Sequence, residues 1–302
     1  MSSGIDKQFV REYYQRMSDK EMITILRDLT GLTPEAQEVV REEITRRNLD
    51  VDISGIAAQE EEEYLGKAFD PDACPVGEDT RVWLENAILL LLDIFGKDET
   101  LKRKILTPES RHFPVKYDGS ERCAFETLAI VARQMETPLE NIKLDFYDEN
   151  LRHITEGNPG GLYWGKGEND KFEISLGRKW LDEPENMVAV LAHEIAHIKL
   201  LGDGRMEENN EQITDLTTIF FGLGIFNANA AFQWFADNKR FGWSESGYLT
   251  QMEWGYALAL FAYIRDEDEP AWAEHLCKNV RADFQQGINF IANNPGLIFK
   301  EP

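Results

Sequence analysis

The chain has 302 residues and is 42% hydrophobic, enough apolar material for one large domain or two modest ones. Its 55 acidic and 32 basic side chains leave a net charge of −23. Nucleic acid and anionic membrane surfaces need clustered Lys and Arg, so neither is expected as a partner; the acidity reads chiefly as a device for solubility.

The opening stretch, MSSGIDKQFVREYYQRMSDKEM, has no apolar core of the secretory kind. The longest apolar run, Ala87 to Phe95, is interrupted by Asp93 and falls well short of the roughly 20 residues a membrane span requires. Cys74, Cys123 and Cys277 lie far apart and form no CxxC pair, which excludes a zinc ribbon and suits a reducing compartment. A cytoplasmic protein is the expectation.

Residues 1–50 read as a helical hairpin. Tyr13, Met17, Met22, Ile25 and Leu26 sit near helical spacing within a first helix over Lys7 to Asp28. A second helix is punctuated by Thr33 as N-cap, Pro34 at the first helical position, and Arg46 and Arg47 in the last turn. Such a hairpin is a candidate docking element for a protein partner or for the rest of the chain. Residues 51–78 are an acidic, Pro- and Gly-bearing linker, and residues 79–302 form the main domain.

Within that domain a helix is predicted from Thr80 to about Gly96 and another from about Ser120 to Met135. The texture then changes to short strands: NIKLDFY and KFEISL alternate apolar and polar, GLYWG is a brief aromatic run, and EGNPGG and GKGEND are turn material. These predict a small antiparallel sheet, with KFEISL as the edge on which a peptide could add as a further strand. Gly160, Gly161 and Gly165 nearby would admit a close backbone, or simply form turns. From Pro184 onward nearly everything is helical, so the fold class is α+β and mainly helical.

The segment DEPENMVAVLAHEIAHIKLLGDG opens that helical half, with Asp182 as candidate N-cap and Gly202 as its end. Val188, Leu191, Ile195 and Ile198 share one stripe, while His193 and His197 fall on the other side. Side chains at i and i+4 are helix neighbours, so both imidazoles can reach one tetrahedral ion at roughly 2.0–2.1 Å. Glu194, rotated about 100° from His193, cannot join them but can take a proton from water activated by the ion.

A catalytic zinc keeps an open position and so wants a third protein ligand. Glu211 follows His197 with thirteen residues between them, and on its helix Glu211, Asp215, Thr218 and Gly222 share a face. A small, polar face ending in Gly would let this helix approach the first closely. Asp215 could then accept the spare N–H of a ligand histidine. Glu207 and Glu208 are alternative third ligands, although neither has an Asp four residues later.

HExxH followed on the next helix by ExxxD resembles the gluzincin branch of zinc metallopeptidases, over about residues 140 to 225. By that resemblance His193, His197 and Glu211 are the zinc ligands, Glu194 is the general base, Asp215 orients a ligand histidine, and a zincin-like sheet covers the active-site helix. The segments FFGLGIFNANAAF and GYLTQMEWGYALALFAYIR extend a looser similarity, to a widespread group of bacterial proteins with this helix pair, across about residues 80 to 290.

Hydrolysis of an amide also needs a group for the developing oxyanion. Tyr248, just ahead of a helix opened by Thr250 and Glu253 in a capping-box pattern, is the candidate. Tyr256, Tyr263 and His275 read as core or surface residues, and His112 and His153 as lone histidines in turns. The function expected is a zinc-dependent hydrolase, a cytosolic metallopeptidase acting on peptide or protein substrates. The alternatives are a catalytically silent, metal-stabilised interaction module and a metal-dependent hydrolase of a non-peptide bond.

Overall fold

The computed structural model describes residues 34–47, 73–147, 161–167, 170–237 and 249–300. The chain divides into two compact units, Met1–Asp70 with Phe235–Trp243, and Pro71–Trp234 with Ser244–Pro302. The first expected helix (Lys7 to Asp28), Thr33, His153, Gly160 and Tyr248 lie outside the described residues.

In the first unit, α1 spans Pro34–Arg47, with Pro at its first position and Arg46 and Arg47 in its last turn. The basic pair serves more than the helix dipole. Glu43 is buried, and its carboxylate accepts from the guanidinium of Arg46 and, at 2.8 Å, from that of Arg47. These hydrogen bonds outweigh burial and hold its pKa at about 2.

The second unit opens with α2, Glu78–Phe95, whose first turn carries Glu78 and Asp79. Leu84, Ala87, Ile88, Leu91 and Phe95 recur at helical spacing and are all buried. Asp93 is exposed on the outer side together with Leu89 and Leu90, so only Ala87, Ile88, Leu91 and Phe95 of the apolar run it interrupts face the core. Among the described residues no helix is long and apolar enough to cross a membrane. Gly96, at φ 76°, ends α2 in the left-handed region and leads into the short α3, Lys97–Lys102. Helix α4, Glu121–Gln134, buries Cys123, Ala124, Thr127, Leu128, Val131 and Ala132 on one side.

The sheet contains β1 (Ile142–Tyr147), β2 (Gly161–Lys166) and β3 (Phe172–Gly177) in the order β1-β3-β2. It is mixed, not antiparallel throughout: β2 pairs with β3 as an antiparallel hairpin, but β1 runs parallel to β3, with Ile142 opposite Phe172 and Leu144 opposite Ile174. KFEISL is therefore the central strand, hydrogen-bonded on both sides, and cannot be the edge expected from sequence. The edges are β1 and β2. In β2 the register shifts between Tyr163 and Lys166, so Trp164 and Gly165 together face one residue of β3. Gly165 takes φ 79° in this bulge.

Helix α5, Pro184–His197, follows a 3-10 turn at Arg178–Asp182. Asp182 lies in that turn, and the N-cap position belongs to Glu183, which makes no side-chain cap. The expected division into an apolar stripe and a polar histidine face is also revised. Every residue from Asn186 to Ile198 except Val190 is buried, because α5 packs against α4, the sheet and the next helix at once. Beyond His197 the helix widens into a π turn over Ile198–Gly202.

After a loop, α6 runs Glu211–Phe220, α7 Gly224–Asp237, α8 Gln251–Ile264 and α9 Lys278–Asn293. Helix α8 opens with the capping box read from sequence: Thr250 Oγ1 accepts from the Glu253 N–H, and the Glu253 carboxylate accepts from the Thr250 N–H at 2.6 Å. Gly222 does not serve the approach of α6 to α5. It follows α6 at φ 71°, and a Cβ there would stand 2.2 Å from the Lys104 carbonyl oxygen, so the glycine admits the backbone at residues 104–105.

One buried network ties the ends of this unit together. Arg81 and the Tyr256 hydroxyl donate to Glu85 Oε1 at 2.7 and 3.0 Å, while the Phe299 N–H donates to Oε2 at 2.9 Å. Tyr256 is thus a core residue, its pKa raised by burial, and Tyr263 is 45% exposed on the surface.

Candidate metal centre

Helix α5 presents His193 and His197 one turn apart, with ring centroids 4.8 Å apart and planes nearly perpendicular. Helix α6 brings Glu211 to them from its first turn. That turn is set by Asn210, whose side-chain oxygen accepts from the Ile213 N–H at 3.0 Å as the N-cap. Asn209 donates to Glu211 Oε1 at 2.8 Å, which leaves Oε2 facing the imidazoles. Oε2 lies 3.1 Å from His193 Nε2 and 3.4 Å from His197 Nε2.

These separations fit a shared cation. A tetrahedral ion with ligand bonds of roughly 2.0–2.1 Å sets its ligand atoms about 3.3 Å apart. The three donor atoms lie within 4.8 Å of one another, and they form the single such His/Cys/Asp/Glu group among the described residues. The group can hold a metal ion.

Hydrogen bonding leads to the same place. His193 Nδ1 lies 2.8 Å from Asp215 Oδ1 in a buried contact. A carboxylate only accepts, so Nδ1 carries the proton, and in a neutral ring Nε2 then aims a lone pair at Glu211 Oε2. Two acceptors at 3.1 Å repel unless a proton or a metal cation stands between them. The charges reflect that tension. Burial disfavours an imidazolium at His193, but the bonds to Asp215 and Glu211 outweigh it and raise its pKa well above the ordinary value. Burial likewise pushes the Glu211 carboxyl up, yet His193 and His197 hold it well below the usual carboxylate range.

Asp215 is itself fixed. Its Oδ2 accepts from the Leu249 N–H at 3.4 Å, and its own carbonyl accepts from Thr218 Oγ1 at 2.7 Å. Glu194 is 5% exposed, and burial raises its pKa against the opposing pull of His193 and His197.

The structure thus brings together Glu194, His193, His197, Glu211 and Asp215. Glu207 and Glu208 are exposed and stand outside the metal-binding group. His112 is engaged elsewhere, its Nδ1 accepting from the Thr107 N–H at 2.9 Å, and His275 faces Glu109 at 3.7 Å.

Two neighbours went unrecognised in the sequence. Thr214, three residues after Glu211, sets its Oγ1 3.5 Å from His197 Nδ1, and counting along the helix could have found it. Tyr163 of β2 stacks on His197, with centroids 5.6 Å apart and planes within 8°. Only its place in an aromatic run hinted at this. Compared with family models, curated proteins and solved structures, the chain matches none.

Proposed function

We propose that this protein is a zinc-dependent hydrolase of the gluzincin type acting on peptide bonds. The observation that carries the reading is the single Glu211 oxygen facing both histidine Nε2 atoms, at 3.1 and 3.4 Å, with Asp215 behind His193. Two imidazoles and one carboxylate make the N₂O donor set that suits zinc and leave one position for water. When bound, zinc would lower the pKa of water and polarise a carbonyl.

The chain's own groups supply the rest. Glu194 accepts the proton of the attacking water and delivers it to the departing amine, and its raised pKa suits both transfers. Asp215 holds the Nδ1 proton of His193, so that Nε2 keeps its lone pair for the ion. Strand β2 is the sheet edge that packs on α5, and it is where an extended substrate would pair its backbone.

Glu194→Gln tests the reading. It keeps the shape and removes the proton acceptor, so the variant should retain stoichiometric zinc and lose at least a hundredfold in hydrolysis of a mixed peptide library. Undiminished turnover in the variant would remove Glu194 from the chemistry.

A further inference from the structure

We infer that Tyr163, on the sheet edge, is the positioning residue for His197, doing by ring stacking what Asp215 does for His193 by a hydrogen bond. The inference rests on the metal reading of the site and extends it to a residue from a different layer of the fold.

The two histidines are held unequally. His193 has a 2.8 Å contact to a buried carboxylate, short enough to fix both tautomer and ring plane. The corresponding contact of His197, Nδ1 to Thr214 Oγ1, is 3.5 Å. The Thr214 hydroxyl donates to the Asn210 carbonyl at 3.0 Å, so it can face Nδ1 only as an acceptor. A hydrogen bond at that length orients weakly.

Stacking covers the deficit. The Tyr163 ring lies within 8° of parallel to His197, whereas His193 meets the same ring edge-on at 85°. One parallel and one perpendicular neighbour leave the imidazole little freedom to rotate, which holds Nε2 toward Glu211.

The placement of Tyr163 follows from features that otherwise have no evident purpose. The bulge at Trp164 and Gly165 gives β2 an extra residue directly after Tyr163. Gly202, at the end of the π turn, has no side chain where the Tyr163 hydroxyl and the Phe172 ring come in. A Cβ there would lie 3.1 Å from that hydroxyl and 2.6 Å from the Phe172 ring. The hydroxyl points to this glycine, so the ring face, not the phenol oxygen, serves His197.

The test is zinc affinity of the full-length chain, measured by competition with a chromophoric chelator, beside the cobalt(II) absorption spectrum, which reports coordination geometry. Tyr163→Phe keeps the ring and should bind zinc within about twofold of wild type. Tyr163→Val keeps a strand-forming residue but no ring; it should lose roughly 10- to 100-fold in affinity and change the cobalt spectrum. Gly202→Ala adds a Cβ 2.6 Å from the Phe172 ring and 3.1 Å from the Tyr163 hydroxyl, shifting both side chains without removing either; it should weaken binding in the same direction, which preserves the test if the valine variant does not fold. Wild-type affinity in both Tyr163→Val and Gly202→Ala, with wild-type cobalt spectra, overturns the role of Tyr163 and leaves the metal reading standing. Failure of the wild-type chain to bind zinc or cobalt overturns both.

Discussion

Asp215 Oδ1 lies 2.8 Å from His193 Nδ1 across the buried contact of α5 with α6, and its other oxygen takes the Leu249 N–H that leads into α8. One carboxylate thus links the candidate metal centre to a third helix. Asp215→Asn keeps an acceptor and loses the charge. We expect zinc affinity to fall about 10- to 100-fold while the helices remain, by analogy with other partners of ligand histidines. Chelator competition together with far-ultraviolet circular dichroism checks it; unchanged affinity would show that the charge of Asp215 does not matter to the ion.

Metal binding should also appear as stability. A ligand that binds only the folded chain stabilises it by about 2.7 kcal/mol at a hundred times its Kd. Zinc should therefore raise the Tm of the wild type by several degrees, a chelator should reverse the shift, and His193→Ala should show none of it. A zinc-induced shift of equal size in His193→Ala would place the stabilising ion elsewhere.

The buried network around Glu85 gives a test of packing that is independent of the site. Glu85→Ala leaves the Arg81 guanidinium without its carboxylate and the Phe299 N–H without an acceptor, and should cost about 3 kcal/mol. Tyr256→Phe removes one hydroxyl bond to a charged group and should cost about 1.5 kcal/mol. Urea denaturation measures both. A cost for Tyr256→Phe equal to that for Glu85→Ala would mean that the hydroxyl, and not the ion pair, dominates.

Glu43 in α1 makes stability depend on pH in a definite sense. Its folded pKa, about 2, lies below the ordinary 4.5. The ionised form is therefore the one folding favours, and its contribution is fully present above about 4.5 and is lost as pH falls toward 2. The stability gap between wild type and Glu43→Gln, followed by denaturation across that range, should narrow steadily on acidification. A gap that does not change with pH would contradict the pairing with Arg46 and Arg47.

What was legible in the sequence is what local periodicity encodes. The i, i+4 histidines, Glu211 with Asp215 one turn later, and the Thr250–Glu253 capping box all state their geometry within one or two helical turns. Strand pairing is not local. Alternation places Ile142 and Leu144 on one face, and Phe172, Ile174 and Leu176 likewise, whichever way the strands run, so the parallel pairing of β1 with β3 was out of reach. Tyr163 escaped for a related reason. Its aim at His197 depends on the bulge after it and on the missing side chain of Gly202, 39 residues away in sequence. The burial of α5 from Asn186 onward, Val190 excepted, is written in the sequence, since Ala189, Ala192 and Ala196 make its second side small and apolar.

The measurement that bears most directly on the convergence of His193, His197 and Glu211 upon one ion is elemental analysis of the purified full-length chain after dialysis against zinc and removal of excess. One zinc per wild-type chain is expected, with His193→Ala and Glu211→Ala reduced to background. Wild-type zinc content in either variant, or background content in the wild type, would contradict the account.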